Sequence, residues 1–165
     1  GGQWAEIFPN LPVKNRGISG DRTGDVLGRL DQITSGSPAK VFLMIGTNDI
    51  GLGVPGEETV RNYGAILDRL AQTSPGTRVY VQSVLPRETK AHDEVVTLNA
   101  AIAEMAEARD LIYLDLFPAF VGEDGGIRTS LSYDRLHLSG EGYRRWQSLL
   151  ASHVNDEVDP LATAR

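Results

Sequence analysis

Val41-Phe42-Leu43-Met44-Ile45-Gly46-Thr47-Asn48-Asp49 is the stretch on which the fold turns. Five apolar residues follow one another and stop at a glycine. A half-exposed strand would alternate apolar and polar side chains, because successive Cβ atoms point to opposite faces. A run without alternation predicts a strand covered on both faces, as in a parallel sheet. Gly46-Thr47-Asn48-Asp49 then closes it as a polar loop.

The pattern repeats outward from that stretch. Val60, Tyr63, Leu67 and Leu70 recur at helical spacing. Residues 78–85 predict a second strand that stops at Pro86. Val95, Leu98, Ile102 and Met105 line a second helix, and residues 111–116 predict a third strand. Residues 117–133, with Gly122, Gly125 and Gly126, read as an irregular excursion. Ser139 is placed to cap a last helix with Tyr143, Trp146 and Leu150 inward, and the tail after Asp156 is expected to fray. Upstream, Thr23 is placed to cap a helix carrying Val26, Leu27, Leu30 and Ile33. Leu11 to Asn15 is a short extended run, and Trp4, Ile7 and Phe8 fall at helical spacing in a segment that Pro9 ends. Strand and helix in alternation predict an α/β fold with a parallel sheet, in a single domain over residues 1–165. Sites in such sheets lie at the carboxyl ends of the strands.

Composition narrows the chemistry. A chain of 165 residues with 41% hydrophobic and 23% charged residues belongs to the ordinary globular class and can bury a core. The net charge is −6 and no basic run exceeds Arg144-Arg145, so a nucleic-acid partner is not expected. No apolar run approaches the ~20 residues of a membrane span. There is no cysteine, which excludes disulfides, thiolate catalysis and cysteine-based metal sites and fits either side of a bacterial membrane. His92, His137 and His153 share no metal-ligand spacing, and no metal or cofactor is expected.

Three polar loops remain as candidates. Asp134-Arg135-Leu136-His137 pairs a carboxylate with an imidazole three residues on. A carboxylate on one ring nitrogen fixes the tautomer and leaves the other nitrogen free to take a proton from a nucleophile. By itself the spacing is weak: 3 His and 12 Asp in 165 residues produce it by chance in about one sequence in five. Asn48 in Gly46-Thr47-Asn48-Asp49 reads either as a turn residue or as an amide donor aimed into a site. Gly17-Ile18-Ser19-Gly20-Asp21 reads either as a strand-to-helix turn or as a source of a backbone N–H for a developing negative charge.

Taken together, the three loops resemble the blocks of the SGNH (GDSL-type) hydrolase family. Residues 15–23 resemble the second block, Gly46-Thr47-Asn48-Asp49 the third and Asp134-x-x-His137 the last. Val84-Leu85-Pro86-Arg87 resembles the run after the family's fourth strand. The resemblance covers essentially the whole chain. It implies a flavodoxin-like three-layer α/β/α sandwich and ester or thioester hydrolysis without a metal, on a small-molecule ester. Carried over by position, it implies His137 as general base, Asp134 as its orienter, and Gly20 (backbone N–H) and Asn48 (side chain) as oxyanion donors. Trp4 is a candidate pocket residue, or equally a core aromatic.

The first block, Gly-Asp-Ser, which carries the nucleophile, has no counterpart in this sequence. Ser19 and Ser83 are not placed for that role by the family pattern. The expectation is that the serine, and a first strand internal to the sheet, lie on roughly 10–20 further residues upstream of residue 1. Two other readings stand beside the hydrolase: a non-catalytic α/β module binding a small ligand or glycan, and a carboxylate-based hydrolase using Asp49, Asp115 or Asp134.

Overall fold

The computed structural model describes residue 8 and residues 11–156. Its centre is a parallel sheet of β1 (Lys40–Leu43), β2 (Arg78–Gln82) and β3 (Ile112–Leu114), in that spatial order. β1 pairs with β2 from Lys40↔Arg78 to Leu43↔Val81, and β2 with β3 from Tyr80↔Ile112 to Gln82↔Leu114. The helices are α1 (Thr23–Gly28), α2 (Asp31–Thr34), α3 (Thr47–Gly51), α4 (Gly56–Thr73), α5 (His92–Glu107), α6 (Phe117–Phe120) and α7 (Gly140–Asn155). A 3₁₀ turn, Thr89–Ala91, leads into α5.

The unalternating apolar run has the expected cause. Val41, Leu43 and Ile45 pack into one core with Val79, Val81, α1, α4 and α5. Phe42 and Met44 face the other way, into a second core with Leu114, Phe120, Ile127, Trp146 and Leu150. Phe42 stacks on Tyr80 at 4.5 Å, and the Trp146 indole N–H reaches Gln82 Oε1 at 3.0 Å. The sheet is therefore a middle layer with helices on both faces, which is the three-layer arrangement the resemblance implies.

The long helices follow their apolar spacing. α4 buries Tyr63, Ile66, Leu67 and Leu70, and Glu57 and Glu58 sit in its first turn, where the helix dipole favours negative charge. α5 buries Val95, Leu98, Ile102 and Ala106. Ser139 caps α7 by accepting from the Gly142 N–H at 3.2 Å.

Four expectations need correction. The second strand ends at Gln82, short of Leu85, because the Asn99 side chain takes over the ladder: it accepts from Val84 N at 2.7 Å and donates to Val84 O at 2.9 Å. The third strand covers only residues 112–114, since the buried Ser83 Oγ accepts from both Leu116 N and Phe117 N at 2.9 Å. The helix expected over residues 23–33 breaks into α1 and α2 around Gly28 and Arg29, and Thr23 is its first residue and not its cap. The run Leu11 to Asn15 forms no ladder among the described residues. The expected segment at Trp4 and Ile7, and the tail after Asp156, lie outside the described residues.

Candidate active site

The carboxyl ends of β1, β2 and β3 lead into Asn48, Arg87 and the excursion to His137. The Gly17–Asp21 loop closes as a turn in which Asp21 N donates to Ile18 O at 3.2 Å. Gly20 stands at its third position with φ +86°, a conformation that penalises any side chain. Among the described residues, no group accepts a backbone hydrogen bond from the Gly20 N–H. Arg29 holds both flanks of this turn, donating Nε to Asp21 Oδ2 at 2.9 Å and Nη2 to Arg16 O at 2.8 Å.

Asn48 joins this turn directly. Its Nδ2 donates one hydrogen to Asp21 O at 2.9 Å. A carboxamide nitrogen carries two hydrogens, so the second is left for another acceptor. Gly20 and Asn48, chosen from separate loops, are thus brought to one place. The next residue locks them: Asp49 is buried and accepts from Thr23 N at 3.0 Å and from Thr23 Oγ1 at 2.6 Å. A carboxylate from α3 therefore caps α1 from outside, the arrangement an orphan helix N-terminus favours. Gly46 also has a left-handed φ, +121°, and a Cβ there would lie 2.8 Å from Leu98 Cδ2.

The other half is built on the surface. Asp134 Oδ2 meets His137 Nδ1 at 2.7 Å, while Asp134 Oδ1 accepts from His137 N at 2.7 Å and Leu136 N at 3.0 Å. The His137 side chain, and then these backbone N–H groups, pull the Asp134 carboxyl below its usual range, to about 2. The His137 side chain is 59% exposed, and the Tyr133 ring stacks on it at 5.9 Å. Between the pair, Arg135 has φ +68°, an unusual conformation for a side-chain-bearing residue. Its guanidinium pins it there, donating to Ile127 O at 3.0 Å, to Thr89 Oγ1 at 3.1 Å and to the Asp124 carboxylate.

A hydrogen-bond path links the halves. The buried Arg87 guanidinium donates to Thr47 O, next to Asn48, and to Glu88. Arg87 O accepts from Ile127 N at 2.9 Å, and Ile127 O accepts from Arg135. Nothing in the sequence assigned Arg29, Arg87 or Arg135 to the site, and Asp49 was a candidate only as a carboxylate of the alternative hydrolase, whereas the structure uses it to cap α1. The only signal was positional, Asp49 and Arg87 lying within or beside recognised blocks. Ser83 is buried with its oxygen committed to two backbone donors, and no nucleophile role fits it. Trp4 lies outside the described residues. Among the described residues, no group of three or more His, Asp or Glu side chains is placed to hold a metal ion, and no helix is long and apolar enough to cross a membrane.

The chain is similar to known proteins. The model of the GDSL-like lipase/acylhydrolase family matches residues 1–145. The alpha1 subunit of platelet-activating factor acetylhydrolase IB from Bos taurus is 34% identical over 151 residues; the match spans 85% of this chain and 62% of the bovine protein. A GDSL-like lipase from Bacteroides thetaiotaomicron superposes with a TM-score of 0.83 at 24% identity, over 90% of this chain and 78% of that one. The acetyl xylan esterase AlAXEase superposes with a TM-score of 0.73 at 21% identity, over 84% of this chain and 78% of the esterase. At these two identities the likeness is one of fold.

Proposed function

The chain belongs to the GDSL-like lipase/acylhydrolase family, and on that premise we propose that it works in a serine ester hydrolase acting on small acyl esters, acetyl esters first. The observation that carries this reading is the Asp134–His137 pair. Nδ1 is engaged by the carboxylate at 2.7 Å, on a ring more than half exposed, so Nε2 is the nitrogen left for a substrate-side proton.

In the proposed reaction, a serine hydroxyl from a Gly-Asp-Ser block upstream of residue 1 attacks the ester carbonyl and gives its proton to His137 Nε2. The carbonyl oxygen takes up the electron pair as an oxyanion. Gly20 N–H and the second Nδ2 hydrogen of Asn48 donate to it. Collapse expels the alcohol, which takes the proton from His137. Water then attacks the acyl-serine, again losing its proton to His137, and the carboxylic acid and free serine are released. Asp134 stays ionised and stabilises the imidazolium. The acetyl preference rests on the name of the bovine relative. The exposed apolar side chains Ile18, Leu52 and Tyr133 stand beside Gly20, at the end of α3, the helix that carries Asn48, and beside Asp134, and would rim the acyl or alcohol side of the ester.

Hydrolysis of p-nitrophenyl acetate by the protein with its upstream segment tests this reading. Turnover, with covalent labelling by a serine-directed phosphonate, is expected. Turnover without labelling would point to a carboxylate mechanism, and neither to a binding module.

A further inference from the structure

A surface cavity adjoins the His137 loop. It is an open depression of about 370 Å³, lined by the exposed side chains of Arg128, Arg144, Arg145, Ser130, Ser148 and Glu141 together with Ala119 and Leu131. Its wall is bonded to the catalytic loop: Ser139 Oγ donates to Ser130 O at 3.1 Å, and Ser139 N to Leu131 O at 2.9 Å.

The arginines are what set it apart. In a chain of net charge −6, carboxylates outnumber cations. Seven other arginines (Arg22, Arg29, Arg61, Arg69, Arg87, Arg109 and Arg135) each pair with a carboxylate. Arg128, Arg144 and Arg145 pair with none among the described residues, although they converge on one cavity. Glu141 is spaced for an i,i+3 pair with Arg144 and an i,i+4 pair with Arg145, yet no such ion pair forms among the described residues. Three guanidinium groups and one carboxylate leave the cavity about two charges positive, and like charges gathered without a counter-ion repel. Serine hydroxyls and guanidinium forks are the donors that tetrahedral oxyanions accept.

We propose that the Arg128–Arg144–Arg145 cavity binds a phosphate-type oxyanion, free or carried on a small molecule. The volume exceeds that of the ion and falls within the range of small-ligand sites, leaving room for the group that bears it.

Titration calorimetry at low ionic strength with inorganic phosphate, and separately with sulfate, on the protein with its upstream segment tests the site. Millimolar binding is expected. The Arg144→Gln/Arg145→Gln variant, with unchanged melting temperature, should weaken it at least ~10-fold, and Glu141→Gln should tighten it by roughly 3-fold. Two ester substrates then separate the sources of the anion. If the site takes the phosphate of a substrate, kcat/KM for a phosphate-bearing acetyl ester falls in the arginine variant while p-nitrophenyl acetate is unaffected. If it takes free anion, both esters are unaffected and only phosphate binding is lost. Absence of binding up to about 100 mM phosphate, or binding unchanged in the arginine variant, overturns the proposal. Neither result bears on the esterase reading, which p-nitrophenyl acetate tests separately.

Discussion

Asn48 and His137 stand beyond the carboxyl ends of the same sheet, yet Asn48 is fixed from inside the protein and His137 from its surface. Asn48 is tied to the Gly20 turn, and its neighbour Asp49 is 1% exposed and caps α1. His137 is tied to an exposed carboxylate, in a loop whose left-handed residue, Arg135, is clamped to the excursion by its own guanidinium. The two proposed roles, oxyanion donor for Asn48 and general base for His137, differ in what they tolerate. An oxyanion donor must be stationary before charge develops, and the fold supplies that rigidity. A general base must meet a nucleophile, a leaving group and water in turn, and partial exposure suits those exchanges.

The largest test is on the surface half. His137→Ala should lower kcat by about 10⁴-fold or more, with melting temperature little changed because the ring is exposed. Normal turnover in that variant would sink the hydrolase assignment. Asn48→Ala comes next, with kcat down ~10²–10³-fold and folding nearly intact. An unchanged kcat would remove Asn48 from the oxyanion hole.

Two further variants probe the locks, where the halves should part. Asp49→Ala leaves Thr23 N and Oγ1 unpaired in a buried place, at about 1–3 kcal/mol for each orphaned group. Its stability and kcat should fall together, as seen in parallel denaturation and rate measurements. Arg135→Ala should lower kcat by roughly tenfold with only a small shift in melting temperature, since two of its three partners, Thr89 and Asp124, are exposed and can turn to water. Equal losses of stability in both variants would erase the distinction.

The sequence made one level of this organisation readable and hid another. Apolar spacing reports what an element does with its own neighbours. Hence the strand begun at Val41 (Lys40–Leu43 in the structure, two residues short of Ile45), the helix through Tyr63 and Leu70, and the Ser139 cap were visible. So was Asp134–His137, whose two members are three residues apart. Partners distant in sequence leave no such period. Thr23 looked like a cap because its type suits one, and the bond that redirects it comes from Asp49, 26 residues on. Arg87 looked like part of a block, while its bond reaches back 40 residues to Thr47. The left-handed turn at Arg135 was invisible because an arginine there is against local preference and is held only by tertiary bonds.

The smallest expected effect concerns Asp134. Its native pKa of about 2 lies below the ordinary carboxylate value of about 3.9, so the unfolded chain takes up the proton first as pH falls. The stabilisation from this ion is complete above about pH 4 and is lost as pH drops through about 2. The stability difference between the wild type and Asp134→Asn should therefore be flat from pH 5 upward and narrow below pH 4. Carboxyl-carbon NMR gives the sharper readout. The Asp134 midpoint should lie near 2 in the wild type and rise in His137→Ala, because the imidazole is the largest cause of the shift. It should stay below 3.9 in that variant, because the N–H groups of residues 136 and 137 remain. A wild-type midpoint at the ordinary value would mean that the loop does not hold Asp134 on His137 in solution. The surface half would then need the nucleophile or the substrate to assemble it, whereas Asn48 would still be preset by the fold.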